Sequence, residues 1–390
     1  MNTCKRTLTD SIEKDLCDKM VFITGPRQVG KTTLAKSLLK KRLGLYLNWD
    51  AADDRSDILH CRWPEGNALV VLDEIHKYRR WKRFIKGEYD KYRERLSFLV
   101  TGSARLDIYR RGSDSLLGRY HRYRLHPFSV AELAGLFALP QPGKEIALRQ
   151  EQPVAFDTGR LLNFGGFPEL YLKNDMRAVR RWHRERFELV TREDIRDISQ
   201  VHDISLIQVL AGMLPARAGS LLSLNGLRED LEVSHRAVSS WMNLLESVYY
   251  CYRIYPFRSR RERALKKEPK LYLWDWSSVP DPAARFENMI AGHLLKFCHA
   301  LEDVDGWNAQ LWYIRDIDKR EVDFLVTIDG SPWFCVEVKS SETDKNHVRY
   351  FMERLNIPYG YVVTLSGERS WRQNTVVHVP AVQFLLSLGV

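Results

Sequence analysis

A chain of 390 residues with 44% hydrophobic and 28% charged residues is too long for one ordinary core and too apolar for a disordered or fibrous protein, so two or three soluble domains are expected. The net charge of +10 favours a polyanionic partner such as DNA. No apolar run approaches the length of a bilayer span, and the six cysteines include no Cys-x-x-Cys pair; neither a membrane anchor, a disulfide framework nor a zinc site is indicated, and a cytoplasmic protein with reduced thiols is expected.

The first element is the apolar run Met20-Val-Phe-Ile23, which reads as a strand. Directly after it stand Gly25, Pro26, Arg27, Gln28, Val29, Gly30, Lys31 and Thr32, followed by Thr33 and the helix-like Leu34 to Leu39. Strand, glycine-rich turn and helix in this order form a phosphate-cradling P-loop. Its backbone N–H groups wrap phosphates, Lys31 reaches the outer ones, and the Thr32 hydroxyl holds a magnesium ion at a helix N-terminus. A second apolar run, Ala68 to Leu72, ends in Asp73 and Glu74, as a buried parallel strand does when it delivers acids to its C-terminal end. Asp73 is placed to hold magnesium and Glu74 to polarise an attacking water. A third run, Leu96 to Val100, leads into Thr101-Gly-Ser103, so that Ser103 is a candidate sensor of the γ-phosphate. Arg119 precedes a further strand and is a candidate arginine finger, with Arg105, Arg110 and Arg111 as alternatives.

Beyond the P-loop, the residues Leu72 to Lys77 followed by Trp81, Thr101 to Ala104, Leu117-Gly-Arg119 and Pro127-Phe-Ser129 with Glu132 stand in an order that resembles a bacterial and archaeal family of AAA-type ATPases, whose C-terminal half is described only as a domain of unknown function. The resemblance implies ATP and magnesium as cofactors, roles at the nucleotide for Lys31, Thr32, Asp73, Glu74 and Ser103, and a homo-oligomer in which Arg119 acts across a subunit boundary.

Pro140-Gln-Pro-Gly143 breaks the apolar pattern and ends the first domain near residue 140. Val179 to Leu189 reads as a solvated helix. From Ile204 three helical periodicities follow, the third capped by Ser234 and carrying Val238, Trp241, Leu244 and Leu245, and a strand-like Val248 to Tyr255 comes next. Three helices and a strand spell a winged helix-turn-helix, in which His235, Arg236, Ser239 and Asn243 would face a DNA major groove. The densest basic run of the chain, Arg258 to Lys267, follows.

The last third carries Glu287 on the amphipathic stretch Phe286 to Leu295, then Leu311 to Arg315, Glu321 to Ile328 with Asp323, and Trp333 to Lys339 with Glu337. Helix with acid, strand, strand with Asp and strand with Glu-x-Lys resembles the PD-(D/E)XK nuclease fold. The resemblance implies that Asp323, Glu337 and Glu287 hold magnesium and that Lys339 activates water. A symmetric four-residue turn at Asp329 to Pro332 would pair Asp323 with Val338 on the wrong face, so a metal site requires an odd loop or a bulge.

The expected fold class is α/β, with a P-loop AAA-type ATPase domain (1–140), a helical connector (141–203), a winged helix-turn-helix-like domain (204–260) and a C-terminal α/β nuclease-like domain (261–390). The leading functional expectation is an ATPase that couples turnover to DNA binding or processing. The alternative is a non-catalytic, ATP-switched interaction protein with an inactive nuclease-like scaffold.

Overall fold

The computed structural model describes residues 4–102, 116–149, 158–198, 203–257, 268–341, 347–367 and 369–390. The chain divides into two compact units, Lys5–His126 and Pro127–Val390, the latter joined by Cys4, each with its own core.

The first unit is built on five parallel strands, the three inner ones short apolar runs buried along nearly their whole length, as strands covered on both faces are, and the two at the edges mostly half-buried. These are β1 (Met20–Thr24), β2 (Gly44–Asn48), β3 (Ala68–Asp73), β4 (Leu96–Thr101) and β5 (Tyr120–Arg124), which lie in the order β2-β3-β4-β1-β5, all parallel. Helices α1 (Thr9–Asp15), α2 (Lys31–Leu39), α3 (Ala52–Leu59) and α4 (Trp81–Tyr92) accompany them. On α4 the residues Trp81, Ile85 and Tyr89, four apart, form one buried stripe against Phe22, Val70 and Phe98 of the sheet. Each such side chain contributes roughly 1.5–3 kcal/mol of burial. Because β3, β4 and β1 are adjacent and parallel, Asp73, Thr101 and Thr24 end on the same edge of the sheet, the edge at which open α/β sheets bind ligands.

The second unit begins with α5 (Val130–Ala134), α6 (Thr158–Phe164), α7 (Pro168–Lys173), α8 (Met176–Glu188) and, after a π-helical turn, α9 (Ile195–Ile198). Then come α10 (Ile204–Met213), α11 (Leu224–Asp230), α12 (His235–Ser247) and an antiparallel pair, β6 (Cys251–Ile254) with β7 (Lys270–Leu273). The long helix α13 (Pro282–Asp305) has Asp281 as its N-cap, Pro282 in its first turn and Gly306 in the left-handed conformation that closes it. A six-stranded mixed sheet follows from β8 (Ala309–Arg315), β9 (Glu321–Ile328), β10 (Ser331–Lys339), β11 (Tyr359–Thr364), β12 (Trp371–Gln373) and β13 (Val376–Pro380), in the order β12-β13-β11-β10-β9-β8. Phe286, Met289 and Leu294 of α13 and Phe384 of α15 (Ala381–Ser387) share one core with Phe324, Phe334 and Tyr361 of the sheet. Val348 and Phe351 of α14 (Val348–Leu355) share another with Leu325, Cys335 and Val362.

Two boundaries differ from the sequence reading. Pro127 to Gly143 group with the second unit rather than ending the first, because Lys296 of α13 bonds Glu132 at 2.6 Å and Ser129 at 2.9 Å, and His293 accepts the Val130 N–H at 3.2 Å. The expected boundary at 260/261 falls between β6 and β7, which pair directly.

Candidate functional site

The loop after β1 bends through φ values of +139° at Gly25, +63° at Gln28 and +101° at Gly30. Reversals of this kind turn successive N–H groups toward a common hollow, which is how backbone binds phosphate. At Gly25 the requirement is also steric, since a Cβ there would collide with the Leu125 carbonyl oxygen. Val29 is fully buried and pins the loop to the core, and Arg6, itself buried, donates to the Val29 carbonyl at 2.9 Å and to the His126 carbonyl. Lys31 opens α2 and folds its ammonium back into the loop, onto the carbonyls of Gly25 at 2.8 Å and Pro26 at 2.7 Å. Arg27 is half-buried, and Gln28 and Thr33 are exposed.

Across the hollow, Asp73 is buried and accepts hydroxyl hydrogen bonds from Thr32 at 2.8 Å and Tyr46 at 2.7 Å on one carboxylate oxygen and from Thr101 on the other. The Thr32 hydroxyl and the Asp73 carboxylate are adjacent hard oxygen donors, a set that suits magnesium. Glu74 follows with φ of +59°, a left-handed conformation costly for a non-glycine residue, and its N–H is held by the Thr101 carbonyl at 3.0 Å. Its carboxylate stands 3.5 Å from His76 and 3.7 Å from Lys77. Burial pushes the Glu74 pKa above the usual carboxylate range, against the pull of Lys77 and Lys31.

Arg119 precedes β5, where its carbonyl accepts the Met20 N–H at 3.1 Å, and its guanidinium pairs with Asp90 of α4 at 2.8 Å. Met20 and Tyr120 are partners at one end of the β1–β5 ladder, and the P-loop leaves from the other. Arg119 therefore stands about 13 Å along the sheet from the hollow of the loop after β1, four residues at 3.3 Å each. Ser103, Arg105, Arg110 and Arg111 lie outside the described residues.

A second concentration of charge lies in the other unit. The β9–β10 turn takes only Asp329 and Gly330, with Ile328 opposite Ser331, and a bulge between Pro332 and Phe334 shifts the register so that Val336 faces Phe324. The next pair along the ladder is Glu337 with Asp323, on one face; the odd offset comes from the bulge, not the turn. The acids do not gather around an open hollow, however. Among the described residues no group of three or more His, Cys, Asp and Glu side chains is arranged to hold a metal ion. Lys270, at the start of β7, places its ammonium 2.6 Å from Glu321, 3.0 Å from Asp323 and 3.2 Å from Glu287, and Lys339 pairs with Glu337 at 2.6 Å. Tyr272 donates to Glu287 at 2.7 Å, and the Val338 N–H donates to Asp323 at 2.9 Å. Burial opposes the charge of Lys270, but Asp323, Glu287 and Glu321 overcome it and raise the lysine pKa. Burial and the neighbouring Asp323 push both Glu287 and Glu337 up to about 7. These residues therefore do not fit a divalent ion while Lys270 is in place.

On α12 the buried face is Val238, Trp241 and Leu245, while His235, Arg236 and Asn243 are exposed and Ser239 is half-exposed. Asn243 accepts from Arg253 of β6 at 2.7 Å. The basic run Arg258 to Lys267, which in sequence joins β6 to β7, lies outside the described residues.

Sequence reasoning passed over Arg6, Tyr46, Lys270 and Glu321. Tyr46 reaches Asp73 only because β2 pairs with β3, and Lys270 meets Asp323 across 53 residues of chain, so both contacts depend on topology. A lysine opening the otherwise apolar Lys270-Leu-Tyr-Leu273 was the one local signal.

Residues 17–134 match the family model of an AAA domain, residues 156–279 that of a domain of unknown function (DUF8612), and residues 283–384 that of another (DUF4143). An uncharacterized protein of Methanocaldococcus jannaschii is 22% identical over 98% of this chain and 87% of its own length. An uncharacterized protein of Mycobacterium tuberculosis is 22% identical over 95% of this chain and 82% of its own. Among solved structures, a Walker-type ATPase of Pyrococcus abyssi is 14% identical with a TM-score of 0.42, covering 71% of this chain and 94% of that one. The first unit is an ATPase-like P-loop domain of the AAA kind. No helix among the described residues is long and apolar enough to cross a membrane.

Proposed function

We propose that the chain binds and hydrolyses ATP with magnesium in its first unit, and that turnover is coupled to DNA held by the second. The observation that carries the first part is the hydrogen-bonded set of Thr32, Asp73 and Thr101 facing the P-loop hollow, with Glu74 next to it. Magnesium, when bound, would supply positive charge against the phosphates. Thr32 and Asp73 would hold it, and Lys31 would exchange its two loop carbonyls for phosphate oxygens. Gly25 and residues 27–30 would supply N–H donors, Thr33 would add to the loop's contacts with nucleotide, and Ser103 is proposed as the sensor of the γ-phosphate. Glu74, half-buried and raised in pKa, would take a proton from the attacking water. Arg119 would act on the nucleotide of a neighbouring copy in a homo-oligomer, since its own hollow is at the far end of the sheet.

DNA contact is supported by the net charge of +10, the exposed face of α12 and the basic run between β6 and β7. For the second unit itself there are two readings, one in which it cuts DNA and one in which it does not. Cleavage would use Asp323 and Glu337 with Glu287 as metal ligands and Lys339 beside the water. The saturation of these carboxylates by Lys270 and Lys339 favours the second reading, a nuclease-like scaffold that holds DNA without cutting it.

One incubation of purified protein with ATP, magnesium and linear, branched and single-stranded DNAs tests all of this. Turnover is expected, and it should fall at least about 100-fold in Lys31→Ala and in Glu74→Gln, with ATP binding kept only in the latter. Unimpaired turnover in Lys31→Ala would sink the ATPase reading. DNA fragments appearing with the wild type and not with Asp323→Asn would reject the scaffold reading.

A further inference from the structure

The carboxylate cluster of the second unit carries its own cation. An ammonium has three N–H donors and no more. Those of Lys270 meet three different carboxylates, Glu321 at 2.6 Å, Asp323 at 3.0 Å and Glu287 at 3.2 Å. The lysine side chain is 4% exposed, and its backbone is held in the β6–β7 pair, where Lys270 faces Ile254. The remaining shell is closed by protein too: Arg315 pairs with Glu321 at 2.8 Å and Lys339 with Glu337 at 2.6 Å.

Counting formal charges, four carboxylates (Glu287, Glu321, Asp323, Glu337) face three cations (Lys270, Arg315, Lys339), a balance of −1. Loss of the Lys270 charge makes it −2, which one divalent ion would cancel. One ligand atom is also left over. Oε2 of Glu337 is buried and has no hydrogen-bond partner among the described residues, in a side chain that is 8% exposed. All the donors are oxygens, as hard divalent cations prefer.

We propose that Lys270 is the resident cation of this cluster in place of a divalent ion. The wild-type cluster takes up no divalent metal, and truncation of Lys270 converts it into a divalent-cation site with Glu287, Asp323 and Glu337 as ligands. This deepens the scaffold reading of the second unit and is independent of the ATPase reading. A buried ammonium also explains how Glu287 and Asp323 stand together in the fold without metal, since Lys270 is the cation that pairs with each of them.

The test is manganese binding by the full-length, nucleotide-free chain, read by electron paramagnetic resonance and by thermal unfolding in manganese against EDTA. Wild type and Asp323→Asn are expected to bind the same amount of manganese. Lys270→Ala and Lys270→Met are expected to bind one further ion per chain, and their unfolding temperatures should rise by several degrees in manganese. Adding Asp323→Asn to either should remove both effects. If the lysine variants do not fold in EDTA, recovery of the fold by manganese is the expected result, and failure to recover overturns the proposal. Wild-type uptake that Asp323→Asn abolishes also overturns it, as does a folded Lys270 variant with no added manganese. ATP turnover measured on the same samples reports separately on the P-loop, so failure there is not confused with failure here.

Discussion

Asp73 accepts three hydroxyl hydrogen bonds, and two of them, from Thr32 and Tyr46, arrive at the same oxygen. The bond from Tyr46 is the one that no motif announces. Burial and the hydrogen bond to Asp73 both raise the Tyr46 pKa, so the phenol stays protonated and remains a donor throughout the neutral range. Its part is to orient the carboxylate for the oxygen that Thr32 shares with it; it is a positioning residue rather than a group that touches nucleotide. Tyr46→Phe keeps the ring and removes only the donor. We expect ATP affinity to stay within about twofold while kcat falls about tenfold, the loss of one hydrogen bond to a charged group being about 1.5 kcal/mol. A rise in KM without a fall in kcat would show that Tyr46 serves binding instead.

At the scale of elements, α13 joins the second unit together through a buried histidine. His293 donates from Nδ1 to the Met289 carbonyl at 2.8 Å and accepts the Val130 N–H on Nε2 at 3.2 Å. Both bonds are made only by the neutral ring with its proton on Nδ1. Burial, aided by Lys296 and opposed by the Met289 carbonyl and Glu132, lowers its pKa to about 4. An unfolded histidine titrates near 6.5, so between the two values the folded state binds fewer protons. Its stabilising effect is complete above about pH 6.5 and is lost as pH falls toward 4, by about 3 kcal/mol at the limit. Glu287 and Glu337, with pKa values raised to about 7, act in the opposite sense over the same range. The measurement is therefore a difference: between pH 7 and pH 5 the urea midpoint of wild type should drop more than that of His293→Gln. Equal drops would remove His293 as the cause. How far such elements could be read beforehand depended on pattern. β1, β3, β4 and α12 were legible because continuous burial or helical periodicity is written in adjacent residues. Helix α13 was expected from Phe286 to Leu295 and runs from Pro282 to Asp305, its Asp281 cap and Pro282 start being signals that were there to use. The pairing of Asp323 with Glu337 could be posed as a question of register but not answered, because the deciding bulge at Trp333 follows from tertiary packing. Lys270 was out of reach for the same reason: its three partners come from α13 and β9.

For the whole molecule the deciding quantity is where the +10 charge resides. The ten residues from Arg258 to Lys267 contain six cations, Arg258, Arg260, Arg261, Arg263, Lys266 and Lys267, against the single acid Glu262, so half of the net charge is concentrated there, in sequence between the paired strands β6 and β7. A surface with evenly scattered charge would bind DNA weakly and respond to neutralisation of any part in proportion. A concentrated run behaves differently, because each phosphate it neutralises releases a condensed counterion and adds about −0.9 to the slope of log K against log salt on duplex DNA. If the run makes the contacts, replacing its six cations by glutamine should reduce the magnitude of that slope by about 5, while six surface cations replaced on α4 and α8 should leave it within about 1. Base-reading contacts from Arg236 would show as sequence preference that survives at high salt, since they do not depend on counterion release alone. Fluorescence anisotropy with one duplex of fixed length, from 50 to 300 mM salt, separates the cases. An unchanged slope after neutralisation of the run would assign DNA contact elsewhere on the chain, and no salt dependence in the wild type would remove DNA from its partners.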